Sequence, residues 1–75
     1  MILGILKEDS FDNRVSTIPE TVAALIKLGF KEVLLESEAG EGAGYRDNDY
    51  IAQGARVTSE DEILSKSDIV VKINP

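Results

Sequence analysis

Arg14 is the residue best placed for chemistry in this 75-residue chain. It follows a short apolar run, Met1-Ile2-Leu3-Gly4-Ile5-Leu6, and the charged pair Lys7-Glu8, and it precedes Val15-Ser16-Thr17-Ile18-Pro19-Glu20, which reads as a helix start. A guanidinium between a buried strand and the following helix stands at the carboxyl end of the strand, where open α/β folds bind ligands. There it can hold a carboxylate or a phosphate in a bidentate fork. The same arginine can instead pair on the surface with Asp9 or Asp12, an interaction worth about 0–1 kcal/mol. Lys72 is the second candidate. It sits inside or at the end of the apolar run Ile69-Val70-Val71-Lys72-Ile73, where an ammonium either finds a partner or snorkels from the sheet edge. Lys7 and Glu8 follow the first strand directly and are available to pair with Arg14 and its neighbours.

A glycine stretch, Gly40-Glu41-Gly42-Ala43-Gly44, has some of the spacing of the phosphate-binding pattern G-x-G-x-x-G, but the third glycine would have to stand where the chain has Tyr45. Pyrophosphate binding also needs the loop to open directly into a helix whose N-terminus faces the phosphates. Here the next helix is expected only near Asp47, and the loop carries Glu38 and Glu41, which repel phosphate. The stretch reads as a turn that needs positive φ at one or more glycines.

Composition removes several other chemistries. With no cysteine and no histidine there is no disulfide, no thiolate nucleophile and no imidazole base, and nitrogen or sulfur metal sites lose their usual ligands. Eight basic against fourteen acidic residues give a formal charge of −6, which repels phosphate backbones and anionic headgroups. Neither a nucleic-acid partner nor direct membrane contact is expected. No apolar run approaches the ~20 residues that span a bilayer, and the first residues lack the pattern of a signal peptide. A cytoplasmic location is expected.

The elements that must carry these residues follow from pattern. Ile2 to Leu6, apolar without alternation, predicts a central parallel strand covered on both faces. Thr17-Ile18-Pro19-Glu20 has the form of a capping box, with Thr17 as N-cap, and predicts a helix over roughly 19–28 closed by Gly29. Val33-Leu34-Leu35 predicts a second buried strand. A short helix capped by Asp47 should turn Tyr50 and Ile51 inward and end at Gly54. Arg56-Val57 predicts an edge strand, Ser59-Glu60-Asp61-Glu62 a second capping box opening a helix over about 60–66, and Ile69 to Ile73 a last, β-branched strand. The order βαβαβαβ predicts an α/β fold: a parallel sheet of βαβ units with helices on both faces, three layers of the flavodoxin or Rossmann type. A domain of this size buries only about 60% of its unfolded surface, and an apolar strand followed only by Asn74-Pro75 lacks a covering helix, so the chain reads as an incomplete fragment.

The ordered series Gly4-Ile5, Lys7-Glu8, Asn13-Arg14-Val15, Pro19-Glu20, Val22, Leu25, Leu28-Gly29, Ala39-Gly40 with Gly42, Gly54-Ala55, and Asp68 with Lys72 resembles the N-terminal domain of the alanine dehydrogenase and NAD(P) transhydrogenase family. The chain departs from that pattern at Ile18, where threonine often precedes the proline, and at Glu38, where E-x-G-A-G is usual. The resemblance implies that residues 1–75 are the first part of that domain and that the Rossmann NAD-binding domain lies outside this chain. It also implies a parent oxidoreductase using NAD(H) and NADP(H), with no cofactor bound by the fragment alone. In the dehydrogenase branch the last strand typically ends K-V-K-E-P, and the second lysine, with the loop arginine, holds the amino or keto acid. This chain reads Lys72-Ile73-Asn74-Pro75, and an amide supplies no positive charge to a carboxylate or a polarised carbonyl. By resemblance, Arg14, Lys72 and Asn74 line the nicotinamide side of an interdomain cleft. The branch implied is the soluble part of a proton-translocating transhydrogenase alpha subunit, which passes hydride between NADH and NADP⁺ at the cytoplasmic face of a membrane complex. Its partners would be the rest of the alpha subunit and the NADP-binding membrane subunit, within a homodimeric parent. The alternatives are an alanine dehydrogenase and, from another class, a non-catalytic α/β binding or interaction domain.

Overall fold

The computed structural model describes residues 1–8 and 17–72. Strand β1 (Ile2–Ile5) leads to helix α1 (Pro19–Lys27), β2 (Glu32–Glu36), a 3₁₀ turn (Glu41–Ala43), α2 (Asp47–Ala52), β3 (Arg56–Thr58), α3 (Glu60–Lys66) and β4 (Ile69–Val71). All pairings are parallel, in the order β3-β2-β1-β4. The apolar run at the start of the chain is therefore the interior strand that its sequence predicts, and β3 is the expected edge.

Register assigns the faces. Leu3 and Ile5 lie level with Val33 and Leu35 of β2 and with Ile69 and Val71 of β4. On this face Ile5, Val33 and Leu35 form the core with Val22 of α1, Tyr50 of α2, Ala39 and Ala55. Gly4 and Leu34 share the opposite face, where α3 covers β1 and β2 and places Ile63. Gly4 has no room for a side chain, since a Cβ there would meet Ile63 Cγ2 at 2.5 Å and collide with the Ser67 hydroxyl. Helices thus cover both faces of a parallel sheet, as the alternation of elements implies.

Local details correct several expectations. Ile18, not Thr17, occupies the N-cap position of α1, and no side chain caps that end. Pro19 at the first helical position needs no N–H partner and forces Ile18 into extended backbone, while Thr17 is drawn into the interior. Helix α1 ends at Lys27, and Gly29 at φ 117° takes the left-handed turn beyond it. Arg46, not Asp47, precedes α2, and Asp49 reaches back to accept the Arg46 N–H at 2.8 Å. Asp47 instead accepts from the Glu38 N–H at 2.8 Å and the Ser37 hydroxyl at 3.0 Å, tying the end of β2 to the start of α2. Tyr50 is fully buried as expected, but Ile51 points outward, 49% exposed, because consecutive helical residues lie about 100° apart. Ser59 does cap α3, accepting from the Glu62 N–H. The Glu62 carboxylate does not close the box; it accepts from Thr58 and Arg56 instead. Strand β4 ends at Val71, and Ile69 and Val70 are more than a third exposed, so the β-branched run expected to be buried is only half covered.

Candidate functional site

Because every strand is parallel, their carboxyl ends share one edge of the sheet, and the predicted cations must be judged there. Lys72 follows the last residue of β4 and is half-buried. The Leu6 N–H donates to the Val71 carbonyl at 3.2 Å, so Lys72 comes out of the sheet beside Leu6, Lys7 and Glu8 at the end of β1. Of the two positions open to Lys72, inside the strand or at its end, the structure shows the second, with the strand ending at Val71. Arg14 and Asn74 lie outside the described residues. The structure therefore brings Lys72 to the carboxyl edge, at the end of β4, beside the strand β1 from which the Arg14 connection departs.

Sequence reasoning gave the neighbouring acids too small a part. Glu8 is one of two buried polar residues among those described, at 5% exposure, with Thr17 the other. Both flank the β1–α1 connection. Glu36, at the end of β2, accepts the Lys7 N–H on its carboxylate at 2.7 Å and closes the top of β1. Only the apolar run before Lys7-Glu8 signals this arrangement, since the partner is 29 residues away in sequence.

The connection re-enters the described fold at Thr17, whose carbonyl accepts the Tyr50 hydroxyl at 2.8 Å in the interior. The Tyr45 ring meets Tyr50 edge-on at a centroid distance of 6.3 Å. Burial first, then the nearby Tyr45, Asp49, Glu20 and Asp47, pushes the Tyr50 phenol up to about 12, so its hydroxyl remains a donor through the neutral range.

The glycine stretch forms a turn, not a phosphate cradle. Its 3₁₀ segment ends at Gly44, in the left-handed region at φ 92°. The chain then passes through Tyr45 and Arg46 before the six-residue α2, whose first turn holds Asp47 and Asp49. An open hollow lies over this turn, lined by Glu41, Gly44, Tyr45, Arg46, Asp47 and Asn48, and its acidic wall is unsuited to a diphosphate. The β1–α1 connection has no glycine either, since none occurs between Gly4 and Gly29. The described residues do not fit the diphosphate of a dinucleotide. Among them no group of three or more His, Cys, Asp or Glu is arranged to hold a metal ion, and no helix is long and apolar enough to cross a membrane.

At the far edge of the sheet, β3 and α3 carry a separate charge network. Arg56 contacts Glu62 at 2.7 Å and Glu32 at 3.5 Å, while Glu62 also accepts from Lys66 at 3.2 Å and the Thr58 hydroxyl at 2.7 Å. The Thr58 hydroxyl, with Lys66 next, holds the Glu62 carboxyl below its usual range. With β3 and β4 at opposite ends of the sheet, this network fastens α3 to the sheet and stands apart from Lys72.

Residues 4–75 match the family described as Alanine dehydrogenase/PNT, N-terminal domain. The chain belongs to that family. Over 75 residues it is 36% identical to the NAD(P) transhydrogenase subunit alpha of Haemophilus influenzae, a match covering 99% of this chain and 14% of the relative. It is 39% identical over 74 residues to the alanine dehydrogenase of Staphylococcus saprophyticus, covering 97% of this chain and 20% of that enzyme. Among solved structures, the transhydrogenase from Sinorhizobium meliloti superposes with a TM-score of 0.88 at 36% identity, covering 96% of this chain and 21% of the other. The domain thus spans about a fifth or less of the proteins it resembles, and both kinds of relative are oxidoreductases.

Proposed function

We propose that this domain is the opening part of the soluble, NAD(H)-binding portion of a proton-translocating NAD(P) transhydrogenase alpha subunit. In this reading it forms one wall of an interdomain cleft, with the carboxyl edge of the sheet turned toward the nicotinamide. The cofactor is held on a Rossmann domain elsewhere in the parent and supplies the hydride when bound. The described residues contribute shape and charge: Lys72 stands at the end of β4, and the connection bearing Arg14 leaves the adjacent β1 and returns at the buried Thr17.

The observation that carries the choice of branch is Asn74, two residues beyond Lys72. An amide at that position offers no second cation for a carboxylate substrate, whereas hydride exchange between two nicotinamides requires none. The reading further implies NADP(H) on a partnering membrane subunit, a homodimeric parent and a location at the cytoplasmic face. An alanine dehydrogenase with an altered pocket is the second reading, favoured by the 39% identity to the staphylococcal enzyme.

The test is steady-state kinetics on the full-length protein. A transhydrogenase reduces a nicotinamide analogue with NADPH or NADH and produces no NADH from alanine and NAD⁺. Sustained alanine-dependent NADH production would overturn the proposal. In the same protein Arg14→Ala should slow hydride transfer while leaving the domain folded, because a charge that belongs to no buried network contributes within about ±0.5 kcal/mol to stability.

A further inference from the structure

We infer that Glu36 is a positioning residue for Lys72: its carboxylate fixes the end of β1, and the end of β1 fixes the peptide from which the lysine side chain leaves the sheet. The inference rests on the reading of the carboxyl edge as the nicotinamide-facing wall. Register pairing of β1 with β2 stops at Ile5 and Leu35. Beyond it the main chain of β2 serves its other neighbour, with the Ser37 N–H donating to the Thr58 carbonyl at 3.3 Å. For the Lys7 N–H the acceptor from β2 is not a main-chain carbonyl but an oxygen of the half-buried Glu36 side chain, at 2.7 Å. A charged acceptor makes such a bond roughly twice as strong as one between neutral groups.

Two peptides carry the constraint across the sheet. The Lys7 N–H belongs to the Leu6–Lys7 peptide, which Glu36 holds on the β2 side. One residue earlier, the Leu6 N–H donates to the Val71 carbonyl at 3.2 Å on the β4 side. That carbonyl belongs to the peptide whose nitrogen is that of Lys72. Among the described residues β4 has a neighbouring strand on one side only, so its last peptide takes its place in the sheet from β1. Lysine carries its ammonium on a flexible four-carbon stem, and the region the ammonium reaches is set by the peptide at its base. Without the Glu36 carboxylate the peptide that follows Leu6 loses its tie to β2, and the base of the lysine moves with it.

The experiment is a double-mutant cycle in the full-length protein, with Glu36→Ala, Lys72→Ala and the pair. Glu36→Gln is added because its amide oxygen still accepts. The readouts are kcat and KM for hydride transfer and deuterium uptake over residues 2–8. Glu36→Ala is expected to lower kcat about 2- to 10-fold, the scale of one lost hydrogen bond. It should leave KM for the dinucleotide within about 2-fold, because the diphosphate is held elsewhere, and raise the uptake. Glu36→Gln should restore most of the lost kcat. In the Lys72→Ala background, itself slow, Glu36→Ala should have no further effect on kcat, since the group it positions is gone. A loss by the same factor in both backgrounds is the mark of a merely structural role and overturns the inference. So does wild-type kcat in Glu36→Ala, a glutamine variant as slow as the alanine one, or a fall in kcat without raised uptake. Wild-type kcat in Lys72→Ala overturns the reading of the edge and the inference with it. If the wild-type protein oxidises alanine instead, only the choice of branch fails, and the same cycle run on that reaction decides the positioning role.

Discussion

Glu38 stands in a backbone conformation made for glycine, at φ 66°, the one such non-glycine residue among those described. An L-residue in the left-handed region carries a penalty of roughly 1–2 kcal/mol, so Glu38→Gly should relieve it. Against that gain, glycine makes the unfolded chain more flexible, which costs about 0.4–1 kcal/mol. No native contact is lost, because the bond at this residue is made by its backbone N–H to Asp47 and the side chain is exposed. The substitution also removes one negative charge beside Asp47 from a chain of net charge −6, an effect of a few tenths of a kcal/mol at an exposed site. The net expectation is a stabilisation of about 0.5–1 kcal/mol, or roughly 2–8 °C in Tm for a domain this small. Urea and thermal unfolding followed by circular dichroism measure it. Glu38→Ala separates the causes, since it discharges the site but keeps the Cβ and therefore the strain. Equal stabilisation by alanine and glycine would show that charge is responsible, and a glycine variant less stable than the original would refute the strain argument.

Gly40→Ala should act in the opposite sense, destabilising by about 1–3 kcal/mol because the new methyl overlaps an immobilised ring; an unchanged urea midpoint would contradict the close approach. The Tyr50 phenol, raised to about 12, binds its proton more tightly folded than unfolded, so its contribution is intact below pH 10 and is lost as pH climbs toward 12. Alkaline unfolding in Tyr50→Phe should lack that component. Glu62, with its carboxyl lowered, works at the acid end: its contribution holds above the unfolded pKa and disappears as pH falls through the folded one. Glu62→Gln should therefore flatten the acid limb of the stability profile, and an unaltered limb would exclude the network as its source. Finally, the 75-residue chain alone should not bind NADH, and a saturable fluorescence titration in the micromolar range would reinstate the glycine turn as a site.

What was legible in the sequence was local. Ser59 announces α3 because its cap bond spans three residues, and the unbroken apolar run of β1 announces an interior strand because both its faces are covered. Thr17 misled for a physical reason. Its spacing to Glu20 satisfies a capping box, but Pro19 and the hydroxyl of Tyr50 set the entry geometry, and a tertiary bond across 33 residues overrides a local preference. Asp47 likewise looked like a helix cap and instead serves the turn before it. Pattern alone left Lys72 either inside the last strand or at its end, because the apolar run continues through Ile73, and the observed end of β4 at Val71 decides between them. The buried state of Glu8 and the Glu36 carboxylate over Lys7 could not, since both depend on which strands become neighbours. The strain at Glu38 was foreshadowed only by its departure from the E-x-G-A-G pattern that the family resemblance leads one to expect.

The sheet order also fixes a schedule. Strand β1 is made first, yet one of its two neighbours is β4, and the Ile2 N–H finds its acceptor, the Asp68 carboxylate, 66 residues later. At ~5–20 residues per second of synthesis, the innermost strand waits about 3–13 s on the ribosome before that flank can be closed. Helix α1 and β2 can shelter the β2 side much earlier, whereas the β4 side stays open until Ile69–Val71 have been made. The slow step in folding should be the arrival of β4, and a nascent chain halted before Ile69 should present the edge of β1 to whatever chaperone is at hand.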